Sequence, residues 1–106
     1  MARQPDLDGV PGVAGVLTPA QCRQTAESIA ALQLPSGEIP WSQTGHTDVW
    51  DHVECAMALS VAGLTESARA AYDWCRREQR ADGSWPIAAV PKGRSSSGPA
   101  GGGGDA

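Results

Sequence analysis

A short motif that occurs twice constrains this chain more than any bulk property. The stretch Gln79-Arg-Ala-Asp82-Gly83-Ser84-Trp85 closes a helical pattern containing Tyr72, Trp74, Cys75 and Arg77. A looser copy lies upstream as Gln33-Leu-Pro-Ser36-Gly37-Glu38-Ile39-Pro40-Trp41. In each copy glycine stands four residues after glutamine, and tryptophan follows after a short gap. The two glutamines are 46 residues apart, and so are the two glycines. Recurrence at about 20–50 residues is the mark of stacked units, each of which leans on its neighbours to bury an apolar face.

Between and before these corners the periodicity is helical. Thr18 is a good N-cap, Pro19 stands where its missing N–H is harmless, and Gln21 completes a capping box. Cys22, Thr25, Ala26, Ile29, Ala30 and Leu32 or Gln33 recur at three- and four-residue steps, which predicts a helix with one buried face up to Leu34-Pro35. A second helix is expected from Thr47 or Asp48 to Gly63, with Val49, Val53, Ala56, Met57, Ser60 and Leu64 as its apolar row. Thr65 is expected to cap a third, which carries Ala68, Ala71, Tyr72, Cys75 and Gln79 on one face. Its other face is charged, with Arg69, Asp73, Arg76, Arg77 and Arg80. The joint Gly63-Leu64-Thr65 is too short for anything but a tight antiparallel hairpin of the last two helices. Residues 35–47 make a longer, Pro- and Gly-rich connection expected to pack and to form a site.

The fold class expected is therefore all-α, with three helices. A flexible arm over residues 1–16 precedes a helical domain over 17–90, in which Val13, Val16 and Leu17 can dock on the first helix. A Gly/Ser-rich tail over 91–106 follows. That leaves roughly 75 packable residues, few for a solitary domain. With no Phe and one Tyr, the four Trp are the main bulky core candidates.

Charge and composition exclude several classes. Eight basic against twelve acidic residues give a net charge of −4, with no basic stripe of the kind nucleic acid requires. No apolar run approaches the ~18 residues of a membrane span, and no secretory signal opens the chain. Three cysteines, Cys22, Cys55 and Cys75, lie in helical patterns without a CxxC pair, which predicts reduced thiols and a cytoplasmic protein.

At the Tyr72–Trp85 segment the chain resembles the QW-type repeat of the terpenoid cyclase/protein prenyltransferase superfamily. It looks closest to bacterial prenyltransferase-like proteins. The matching stretches are Ile39-Pro40-Trp41, then Asp48-Val-Trp50-Asp51-His52-Val53-Glu54-Cys-Ala56-Met57-Ala58-Leu59, then Gln79 to Trp85. That resemblance implies an α/α toroid around a cavity for an apolar, isoprenoid-like substrate, of which this chain would be a truncated or partial form. It carries neither the Asp-x-Asp-Asp acid of the class II cyclases nor the zinc-ligand set of the protein prenyltransferases, so no catalysis by the chain alone and no cofactor are expected. The alternative reading is a non-enzymatic helical module that completes its core by self-association or against a partner chain supplying further repeats.

The chemically richest stretch runs from His46 to Glu54. Asp48, Asp51, His52 and Glu54 are the catalytic candidates, because carboxylates one turn apart at a helix start can act as an acid/base pair. Asp48 as a cap and satisfied histidines are the plainer roles. Trp41, Trp50 and His46 are the candidate substrate-binding residues. Trp74 and Trp85 are assigned to packing. His46, His52 and Cys55 are spaced without a second tight ligand pair, so no metal site is expected.

Overall fold

The computed structural model describes residues 7–42 and 45–87. Residues 1–6 of the expected arm, residues 88–90 and the expected tail over 91–106 lie outside the described residues. Three helices carry the fold: α1 (Pro19–Leu32), α2 (Val49–Val61) and α3 (Thr65–Glu78). Val13 and Leu17 form a short isolated antiparallel bridge before α1. The all-α class is as the sequence predicts. The ring implied by the resemblance is not part of the described structure, in which α2 lies between α1 and α3.

Local chemistry sets the helix ends. Thr18 and Gln21 form the reciprocal capping box, each side chain bonding the other's backbone N–H, and Pro19 opens α1. Asp48 caps α2 by accepting from the N–H of Trp50. The end of α2 is a Schellman turn: Leu64 N–H donates to Leu59 O at 2.9 Å and Gly63 N–H to Ser60 O at 3.1 Å, with Gly63 at φ 84°. The next helix starts at once, with Leu64 rather than Thr65 in the cap position and no side-chain cap bond. The three-residue joint of Ala62, Gly63 and Leu64 leaves Thr65 already inside the helix.

The core is small and made largely of alanine. Ala26, Ile39, Ala56, Leu59, Ala62, Ala68 and Ala71 form one buried cluster, flanked by Ile29, Ala30, Cys55 and Leu64. Small side chains let the α2 and α3 backbones approach closely. They also bury little apolar area, so helix contacts alone stabilise the fold weakly.

Two expected faces are corrected. The buried side of α2 is His52, Ala56 and Leu59, whereas Met57 is 54% exposed and Ser60 is exposed. An apolar stripe does run along Val49, Val53 and Met57, but it is centred about a quarter of a turn away from the core. In α3, Trp74 is buried and Tyr72 is not. Of the four tryptophans only Trp74 joins the interior; Trp41, Trp50 and Trp85 are exposed, so they do not form the bulk of the core. Near the N-terminus, Val10 is the buried residue, while Val13 and Val16 face solvent. Val10, Pro11 and Leu17 line a small apolar cleft of about 190 Å³ with Cys22 and Ala26 of α1 and Ala58 and Val61 of α2.

The long connection between α1 and α2 is packed, as its length predicts. Glu38, Ile39, Pro40 and Thr47 are all buried, and the Thr47 hydroxyl donates to the Glu38 carboxylate. Among the described residues no helix is long and apolar enough to cross a membrane.

Candidate functional site

The site is built on the exposed side of α2. One helical turn brings Asp48, Trp50, Asp51 and Glu54 to the same rim, because residues three and four apart are neighbours on a helix. Two indole N–H groups fix two of these carboxylates: Trp41 Nε1 donates to Asp51 Oδ2 at 2.9 Å, and Trp50 Nε1 donates to Glu54 Oε2 at 2.9 Å. Each carboxylate keeps its other oxygen open. Asp48 Oδ1 is engaged by the Trp50 N–H at 2.8 Å, so this residue shapes the helix start as well as facing the site.

Opposite the rim stands the second corner. Trp85 is held by its Nε1, which donates to Cys75 O at 2.8 Å. Together with Pro86 and Ile87 it walls an open cleft of about 750 Å³, whose other side is Asp48, Val49, Trp50, Asp51, Val53, Glu54 and Met57. The stripe Val49–Val53–Met57 makes its floor. The cleft is thus amphipathic, with carboxylates along one edge, apolar side chains along the other, and Trp50 and Trp85 as aromatic walls.

His52 belongs to a different environment. It is fully buried, on the far side of α2. Ile39 N–H donates to its Nδ1 at 3.1 Å, and its Nε2 donates to Ala71 O at 2.9 Å. That pattern requires the neutral ring with its proton on Nε2. Burial pushes the imidazole below its ordinary value of 6.5, against a smaller opposite pull from the Ala71 bond. The ring also lies 4.6 Å from that of Trp74, tilted by 48°. One side chain therefore ties the loop, α2 and α3 together. With both nitrogens engaged, it has none to offer a substrate.

Of the sequence candidates, Asp48, Trp50, Asp51 and Glu54 share the cleft, and Trp41 joins them through Asp51. His46 is exposed outside the lining, its carbonyl accepting from the N–H of Trp41 at 3.0 Å. The Cys55 thiol is pushed above its ordinary value of 9.0 by burial, then by the charges of Asp51 and Glu54. It stays protonated and is a poor ligand or nucleophile. All three cysteines are free, and no group of three or more metal-binding side chains occurs among the described residues. The cleft lining also includes Val49, Val53, Met57, Trp85, Pro86 and Ile87, which the sequence does not place in the site. The available signal was the Val-Val-Met stripe itself, which was assigned to the core.

No family model matches the chain. Over 82 residues, 77% of its length, it is 73% identical to a curated protein of Mycolicibacterium hassiacum, MMP endo-(1,4)-3-O-methyl-alpha-D-mannosidase. The chain spans 23% of the length of that relative. Any 82-residue stretch of a 106-residue chain includes residues 25–82, so α2 and its carboxylates fall within the similarity. This finding corrects the resemblance drawn from the glutamine–glycine–tryptophan corners. The similar protein is a glycosidase, not a prenyltransferase or terpenoid cyclase, which removes the transferase assignment and the isoprenoid-like substrate. Corners of this kind report how helices are joined, not what they act on.

Proposed function

We propose that this chain takes part in processing an α-mannosidic polysaccharide, and that the α2 cleft seats the sugar chain. The observation that carries the reading is the carboxylate-and-tryptophan cleft on α2, lying inside a stretch 73% identical to a mannosidase. Glycoside hydrolysis uses a pair of carboxylates, one giving a proton to the leaving oxygen and one activating water or attacking the sugar. Asp48, Asp51 and Glu54 are the residues from which that pair is drawn. Asp51 fits best, since the Trp41 indole orients one of its oxygens and the residue lines the cleft. Trp50 and Trp85 offer flat apolar faces for the C–H side of pyranose rings, and Trp41 holds the base of the rim.

The relative's name gives the substrate as a 3-O-methylated mannoside. The floor of Val49, Val53 and Met57 suits a sugar edge that bears methyl ethers in place of hydroxyls, because a hydroxyl seated there would lose its hydrogen bonds. His52 positions the loop that carries Trp41 and takes no part in proton transfer. The three free thiols support a cytoplasmic setting.

The test is titration with a 3-O-methyl-α-1,4-manno-oligosaccharide, following tryptophan fluorescence for binding and new reducing ends for cleavage. Saturable binding is expected, weakened tenfold or more by Trp50→Ala. Asp51→Asn should leave binding within about threefold and abolish any reducing-end release. Absence of binding by both methylated and unmethylated manno-oligosaccharides at millimolar concentration would overturn the assignment.

A further inference from the structure

The two glutamine–glycine corners have the same backbone but not the same surroundings. Gln33 and Gln79 end their helices with φ, ψ of −68°, 134° and −66°, 132°. In the first corner Leu34 N–H bonds Glu38 O at 2.8 Å, Gly37 N–H bonds Leu34 O at 2.8 Å, and Gln33 Nε2 bonds Gly37 O at 3.0 Å. In the second, Arg80 N–H bonds Ser84 O at 2.7 Å, Gly83 N–H bonds Arg80 O at 2.8 Å, and Gln79 Nε2 bonds Gly83 O at 2.9 Å. Gly37 and Gly83 have φ of 97° and 91°.

What differs is the cover. Helix α3 crosses the first corner so closely that a Cβ on Gly37 would stand 2.2 Å from Ala70 O. There the second hydrogen of the Gln33 amide bonds Ser67 O at 2.9 Å, and Arg77 donates to Ser36 O. At the second corner a Cβ on Gly83 would meet only the side chain of Gln79, at 3.9 Å. Among the described residues the Gln79 amide bonds nothing but Gly83 O, and Trp85 and Ile87 beside it are 37% and 91% exposed. The position matching Ser36 is Asp82, an exposed carboxylate that accepts from the Ser84 N–H and hydroxyl.

We infer that the second corner is a docking surface for an α-helix from outside residues 1–106, one with the chemistry α3 offers the first corner. Such a helix sets a small residue against Gly83, gives a main-chain carbonyl to Gln79 Nε2, and places an arginine or lysine on Asp82. The 46-residue repeat extends an interface already made within the chain, and the aspartate adds charge complementarity that the first corner lacks. Residues 92–106, mostly Gly and Ser, are poor helix formers and contain no such stripe, so the helix is not theirs. The α3 of a second copy is already engaged by its own first corner. The inference does not rest on the sugar reading: the residues that would bond the helix are Gln79, Asp82 and Gly83, none of which lines the cleft, although Trp85 and Ile87 beside them do.

A stapled peptide with the sequence of residues 65–78, cross-linked through positions 69 and 73 on its outer side, is the probe. Titrated into the ¹⁵N-labelled full chain, it should shift the backbone amides of 79–85 and the Gln79 side-chain amide saturably, with a dissociation constant below millimolar. Gln79→Ala should weaken binding about tenfold, the usual effect of one lost hydrogen bond to a carbonyl. Asp82→Asn should weaken it and flatten its salt dependence. A peptide carrying Ala70→Leu should not bind. Four results would overturn the inference: no saturable shift at 1 mM peptide, shifts centred on 33–39, the same shifts on concentrating the chain alone, or contacts from residues 88–106 to Gly83 in the free chain.

Discussion

The first and second corners share a sequence motif, a turn geometry and a glutamine clamp, yet one is interior and the other is surface. Gly37 and Ile39 are buried, while Gly83 and Trp85, at the corresponding positions, are exposed. The comparison separates what a motif does by itself from what its surroundings add. The glycine's positive φ and the glutamine-to-carbonyl bond are local and appear in both. Close backbone contact, the second glutamine bond and burial appear only where α3 lies across the turn. If that division is right, matched substitutions in the two corners should give unequal losses.

The largest difference is expected at the glycines. Gly37→Ala combines left-handed strain with a backbone collision at Ala70, and should cost about 4 kcal/mol or more, enough to abolish a cooperative urea transition in so small a core. Gly83→Ala makes only an ordinary contact with the Gln79 side chain at 3.9 Å and should cost about 1–2 kcal/mol from backbone strain alone. Equal losses in the two variants would break the comparison.

Next in size is His52, which the first corner possesses and the second lacks. His52→Leu leaves the Ile39 N–H buried and unpaired and removes the added bond to Ala71 O, a loss of about 2–4 kcal/mol by urea unfolding. The same residue sets a pH dependence. Its folded pKa lies below 6.5, so the unfolded chain binds the proton more readily. Stability should be level above pH 6.5 and decline as the pH falls below that value, until the folded imidazole titrates too. Denaturation midpoints between pH 7.5 and 5 measure this, and the slope assigned to His52 should be missing from His52→Leu.

Smaller effects are expected at the glutamines. Gln33→Ala removes bonds to Gly37 O and Ser67 O and should cost about 1–2 kcal/mol, whereas Gln79→Ala removes one exposed bond and should cost about 0.5 kcal/mol. Smallest of all for stability is Trp50→Ala, at under about 0.5 kcal/mol, because the side chain is 74% exposed. Its effect on sugar binding should be large, and thermal shift beside the oligosaccharide titration separates the two.

Much of the helical layout was legible because its signals are local. The Thr18–Gln21 capping box, the Gly63 stop and the packed loop before Asp48 each follow from a few neighbouring residues. The side of α2 that faces inward was not. Apolar residues occur on both of its faces, and a histidine occupies the centre of the buried one. Periodicity therefore favoured Val49, Val53 and Met57, which line the cleft instead. Of the four tryptophans that composition offers as bulky core candidates, the structure buries only Trp74. Within the site, the cluster Asp48, Trp50, Asp51 and Glu54 was visible as helical neighbours. Its opposite wall, Trp85 to Ile87, is more than thirty residues away in sequence, and no local pattern pairs the two.

By itself the sequence determined three helices, the caps of the first two and two equivalent turns, since caps, glycine conformations and glutamine clamps act over four or five residues. Only tertiary structure decided which turn is covered, which face of α2 is interior, and that His52 is a buried strut while its neighbours Asp51 and Glu54 face a cleft. Those outcomes depend on where α3 comes to rest. A helix of small residues can approach a glycine turn to backbone contact, and a buried imidazole is tolerable only once a loop N–H and a helix carbonyl arrive together to satisfy it.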